Sequence, residues 1–236
     1  MLAGSADKDV GNVIQSVLWT LETASAPERL DVDGLAQAAT SSLQSGQPQR
    51  MLAGSLAVLA VLDHGLPGEL VAVLNSDPLF TALSAALASH SPMLVATAAR
   101  ALAALVVVTD KRAKLDRQEK HGRLRKVVPQ LRNTLDGPAR SFLVQEAVAE
   151  SCCALLAGDD AINLGSHAGA MWSMLWPLAV HPQDVISDAA AIALCRLTWL
   201  KRAHAGGRAP PPGSAQAEQQ QAIPSVEEAL SRSCTE

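Results

Sequence analysis

Four times along the chain an apolar stripe returns with the same spacing. It reads Met51, Ser55, Val58, Leu62 in the first copy and Leu94, Ala98, Ala101, Leu105 in the second. The third copy is Val144, Val148, Ser151, Leu155, and the fourth is Ile186, Ala190, Ala193, Leu197. Steps of four, three and four residues place each set on one face of a helix with 3.6 residues per turn. Large residues stand at the ends of the stripe and mostly small ones in its middle, so a neighbouring helix can approach closely. A proline-containing turn signal precedes each copy: Gly46-Gln47-Pro48, His90-Ser91-Pro92, Gly137-Pro138 and His181-Pro182. The prolines at 48, 92, 138 and 182 stand 44, 46 and 44 residues apart. Upstream of each proline the apolar pattern predicts a further helix, over 32–43, 79–87, 124–135 and 170–180.

The unit is thus helix, proline-marked turn, helix. One such pair cannot bury its own apolar face, whereas stacked neighbours bury a continuous core. The alternative is a non-repeating bundle of Ala-rich helices. Turn position and stripe are separate signals, and both favour the repeat.

The period falls in the range of about 40–47 residues of HEAT and armadillo repeats. The second unit, PLFTALSAALASHSPMLVATAARALAALVV, resembles the last two helices of an armadillo repeat joined by a short turn. The fourth, MLWPLAVHPQDVISDAAAIALCRLTWL, resembles it as well. In the third, Pro129 stands where such repeats often carry a proline between their first and second helices. The resemblance covers roughly residues 31–203. It implies an all-α fold: a right-handed α-solenoid, armadillo/HEAT-like, of about four repeats. The asparagine with which many armadillo repeats grip an extended peptide is missing from the last helices, against an importin-like peptide ladder. Residues 1–30 are expected to hold an N-terminal capping helix, and 204–236 a flexible tail. That tail contains GGRAPPPGSAQAEQQQ, then SVEEALSRS, where Ser225 and Glu228 have capping-box spacing.

Composition agrees with helices. Hydrophobic residues make up 48% and aromatics only 3%, with no tyrosine, and the abundant Ala and Leu are strong helix formers. Cys152, Cys153, Cys195 and Cys234 form no Cys-x-x-Cys pair, so a reduced cytoplasmic setting is expected, with cytoskeletal or nuclear placement as variants. The first ten residues lack the basic-then-apolar order of a secretory signal. The longest apolar run, 101–108, is far short of the roughly 20 residues that span a bilayer, and no membrane partner is expected.

Net charge is −4, yet 111–132 holds nine of the 19 Lys and Arg residues. They are Lys111, Arg112, Lys114, Arg117, Lys120, Arg123, Arg125, Lys126 and Arg132, opposed only by Asp116 and Glu119. This ridge is a candidate seat for another protein with an acidic surface or tail. A solvated helix face carries the same pattern. Nucleic acid is the weaker alternative partner: phosphate contacts would release counterions, but no aromatic residue interleaves the run for base stacking. A second candidate surface lies beside the stripes, with Arg100, Glu146, Glu150, Asp188 and Arg196, and with Trp199 three residues after Arg196. Arg and Trp are enriched at binding hot spots. Trp172 and Trp176 read as core. Gly-rich phosphate loop, His-Glu-x-x-His and Gly-x-Ser-x-Gly patterns are all missing. The expectation is therefore a non-catalytic scaffold or adaptor with no cofactor and no small-molecule substrate. By analogy with the resembled family, it would be a subunit of a larger assembly, cytoskeletal or ciliary in one setting.

Overall fold

The computed structural model describes residues 32–64, 77–113, 117–156 and 167–205. The expected N-terminal capping helix and the tail beyond residue 205 lie outside the described residues. Among those described, eight α-helices and no β-strand are present. In chain order they are α1 (Val32–Gln44), α2 (Pro48–His64), α3 (Asp77–Ala86) and α4 (Pro92–Ala113). They continue as α5 (Arg117–Leu135), α6 (Phe142–Leu155), α7 (His167–Ala179) and α8 (Asp184–Ala205). The chain is all-α.

Each proline-marked turn works by a local device. Gly46 takes φ +70°, a left-handed conformation that costs a glycine little, and Pro48 then opens α2. Pro92 likewise opens α4, with the Ser91 hydroxyl accepting from the Leu94 N–H at 3.5 Å. Pro138 stands four residues before α6, because Ser141 caps that helix by accepting from the Val144 N–H at 3.4 Å. Pro182 precedes α8 by two residues, and His181 Nδ1 accepts from the Gln183 N–H at 3.1 Å.

All sixteen stripe positions except the half-buried Met51 are buried. The two serines are satisfied within their own helices. Ser55 Oγ donates to the Met51 carbonyl at 3.0 Å, and Ser151 Oγ to the Ala147 carbonyl at 2.6 Å. Neither leaves an orphaned polar atom in the core.

The helices that carry the stripes pack in succession: α2 on α4, α4 on α6, α6 on α8. The preceding helices lie behind them, α1 against α2, α3 against α4, α5 against both α4 and α6, and α7 against α6 and α8. At Gly54 a Cβ would come within 2.8 Å of the Ala39 carbonyl oxygen, so α1 rests on backbone at this point of α2.

Pro129 falls within the helix that the apolar pattern predicts over 124–135. It lies inside α5 rather than between two helices. Proline supplies no N–H for the carbonyl four residues back, which belongs to Arg125. Both residues are exposed, so water can satisfy that carbonyl and the helix runs on. Pro177 has a similar place, exposed in the last turn of α7.

Candidate functional site

Ala57, Arg100, Glu150 and Ile192 occupy one equivalent position, two residues past the second stripe residue of each copy. Because α4 and α6 are neighbours, this register brings opposite charges together. Arg100 Nε donates to Glu150 Oε2 at 2.6 Å, and its Nη2 lies 3.9 Å from Glu146 Oε1. The Arg100 side chain remains 31% exposed and that of Glu150 43%, so the pair is worth no more than about 1 kcal/mol. It links α4 to α6 and leaves part of both side chains open to solvent.

Arg196 makes a different link. From α8 its Nη1 donates to the Cys153 carbonyl at 2.7 Å and lies 3.2 Å from Cys153 Sγ. Cys153 falls in the last turn of α6, where carbonyls have no helical donor. A guanidinium there satisfies the acceptor and complements the negative end of the helix dipole. Arg196 therefore ties α8 to α6. Trp199 is 67% exposed and Ile192 49%, so both apolar side chains are presented to solvent near Arg196.

The basic segment straddles the end of α4 and most of α5. Lys111 and Arg112 fall in the last turn of α4 and Arg117 at the start of α5, with Lys120 further along it. Lys114, like the side chains of those four, lies outside the described residues. Arg123 is half-buried and engaged within the protein. Arg125 and Arg132, seven residues apart on one face of α5, are exposed, and among the described residues neither has an ion-pair partner. Lys126 is exposed too, with its Nζ 5.9 Å from the centroid of the Phe80 ring on α3, a cation–π contact. One turn on from these two residues, Ser84 Oγ and Gln130 Oε1 are buried without a hydrogen-bond partner among the described residues.

Trp172 is buried and stacks on the half-buried Trp176, ring centroids 5.9 Å apart with an interplanar angle of 11°. This is core packing on α7. Met93, Phe142 and Val185, each at or near the start of a stripe helix, are exposed, as is Val180 in the turn before α8. The sequence reading did not single these out. The signal was available: Met93 and Val185 both directly precede their stripe, and Phe142 stands two residues before its own.

Burial and the neighbouring Cys153 push the Cys152 thiol up to about 12. The neutral thiol is thus the form that folding favours. Stability from this group is complete below the ordinary value of 9.0 and declines as pH rises toward about 12, because the unfolded chain ionises first. At pH 8 a thiol reagent is expected to label the exposed Cys195 rapidly and Cys152 only after unfolding. Peptide mapping after a brief iodoacetamide pulse reads this directly; early modification of Cys152 would contradict its burial.

Among the described residues no group of three or more His, Cys, Asp or Glu is placed to hold a metal ion. Likewise, no described helix is long and apolar enough to cross a membrane. The fold and these surfaces define an all-helical protein with a charged seam between stripe helices and a basic side on α5. Compared with protein-family models, curated proteins and solved structures, the chain matches none.

Proposed function

We propose that the chain is a non-catalytic protein–protein scaffold or adaptor, built as a short α-solenoid of about four armadillo/HEAT-like repeats and working in the cytoplasm as a subunit of a larger assembly. The order of contacts α2–α4–α6–α8, with a second row of helices behind, supports the solenoid reading. The binding reading is carried by one observation. Arg125 and Arg132 project from one face of α5, exposed and without a carboxylate partner among the described residues. Charges kept free of internal pairing retain their full attraction for an acidic surface. Lys111, Arg112, Lys114 and Arg117 extend the same basic segment along the chain.

Arg125→Ser with Arg132→Ser tests this reading. Neither side chain is buried, so thermal stability should change by no more than about 0.5 kcal/mol. Affinity capture from a lysate, wild type beside the variant at low and moderate salt, should then recover a defined protein set with the wild type and lose it with the variant. Recovery of nucleic acid alone, released at moderate salt, would replace a protein partner by a phosphate backbone. Identical capture by both forms would remove α5 as the binding side.

A further inference from the structure

The side of α8 that continues the Arg100–Glu150 seam is apolar. Ile192 holds the position on α8 that Arg100 and Glu150 hold on α4 and α6, and it carries no charge. Val185 precedes it by seven residues and Trp199 follows it by seven, so the three fall along one side of the helix. They are 61%, 49% and 67% exposed, whereas Ile186, Ala190, Ala193, Leu197 and Leu200 are buried against the rest of the protein. From Val185 to Trp199 the strip runs about 21 Å along α8.

Charges flank the strip in a fixed order. Asp188 lies four residues before Ile192, and Arg196 four residues after it. Asp188 is exposed and has no ion-pair partner among the described residues. Arg196 engages Cys153 through Nη1 alone, which leaves Nε and Nη2 able to meet a carboxylate.

The strip is therefore its own complement when two copies of α8 run antiparallel. With Ile192 facing itself across a twofold axis, Val185 of each chain faces Trp199 of the other, and Asp188 faces Arg196. All three apolar residues gain an apolar partner, and two opposite-charge pairs form. Sliding the pair by seven residues either way leaves Val185 or Trp199 opposite a residue outside α8. A parallel pairing sets Asp188 against Asp188 and Arg196 against Arg196, like charges in both places. Charge and apolar pattern together select the antiparallel arrangement.

We propose that two copies of this chain associate through α8, antiparallel about Ile192. The contact uses a different helix from α5 and stands independently of whether α5 binds a partner. One helix pair buries less than the roughly 1,200 Å² of a stable complex, so the dimer is a reversible one. Ile192 meets its own copy on the axis, so a bulkier or charged side chain there opposes pairing from both chains.

Sedimentation velocity on the full chain should show monomer at about 5 µM and a rising share of dimer toward about 300 µM. Asp188→Arg turns both attractions into repulsions and should weaken association at least ~10-fold. Ile192→Asp should abolish it. Both changes are at exposed residues, so the melting temperature at low concentration should stay nearly unchanged. Ile192→Cys reads the register. Under diamide, which takes two electrons and two protons from a pair of thiols, the two introduced cysteines should join as a disulfide between chains. Native Cys195 should not pair with its own copy, which lies six residues beyond the facing Ala189. That offset is about 9 Å along the axis, outside the Cα separation of roughly 4.4–6.8 Å that a disulfide spans. Peptide mapping locates the bond. A monomer at every concentration, or equal association of wild type and Asp188→Arg, would overturn the proposal. So would a Cys195–Cys195 bond that forms as fast as the one at position 192.

Discussion

Replacement of Trp172 by alanine is expected to destabilise the protein by about 3–5 kcal/mol, a large part of the stability of an ordinary domain. Trp172 is 6% exposed on α7. Its removal takes away a large apolar surface and opens a cavity that Met171, Met174 and Leu175, all buried on the same helix, can only partly fill. It also dissolves the ring stack with Trp176, worth about 0.5–1.5 kcal/mol beyond the burial itself. Urea unfolding followed by circular dichroism measures the loss. Trp199→Ala provides the internal contrast: with its ring 67% exposed, it should change stability by no more than about 0.5 kcal/mol. Comparable losses in the two variants would show that the tryptophans on α7 are not core.

Leu105→Ala should follow, at about 2–5 kcal/mol. Leu105 closes the stripe of α4 and is fully buried. That helix packs against α2, α3, α5 and α6, more neighbours than any other described helix has except α6, so several elements would have to move to collapse the cavity. A site that cannot collapse sits at the upper end of the range. Met93→Ala, on the same helix but 57% exposed, should be close to neutral. The same urea titration compares the two, and a large loss at Met93 with a small one at Leu105 would reverse the assignment of the buried face.

The helices and their inward faces were legible in the sequence because periodicity is set by local geometry. A step of four, three and four residues can face one way only on a helix, and Leu94 through Leu105 and Ile186 through Leu197 are buried as that step requires. The serines in the stripe were legible as small residues, and their satisfaction by carbonyls one turn back follows from helix geometry alone. The pattern over 124–135 already puts Pro129 inside a helix, and α5 holds it there. Proline destabilises a helix interior by losing one hydrogen bond, but the sequence does not reveal that the affected carbonyl belongs to an exposed turn.

Side-chain links between units were legible only in part. Arg100 and Glu150 occupy equivalent positions in adjacent copies, so aligning the repeats makes their pairing readable. The link from Arg196 to the Cys153 carbonyl joins positions that are not equivalent. It depends on how far α8 is offset along α6, a quantity that no local pattern encodes. The same holds for the α5 surface. Nine cations in 111–132 are plain in the sequence, yet packing decides that Arg123 is engaged while Arg125 and Arg132 point to solvent.

The stacking of repeats is tested most directly by one distance. Spin labels at Ala57→Cys and Ile192→Cys, in a chain whose four native cysteines are replaced, mark the same repeat position on the first and last stripe helices. Successive packing of α2, α4, α6 and α8 separates them by three helix-to-helix spacings of about 8–10 Å each. Pulsed electron–electron resonance should then give a main distance of about 24–30 Å. A main distance near one such spacing, below about 15 Å, would mean that the first and last stripe helices pack directly on each other in a closed bundle, and the solenoid reading would fall.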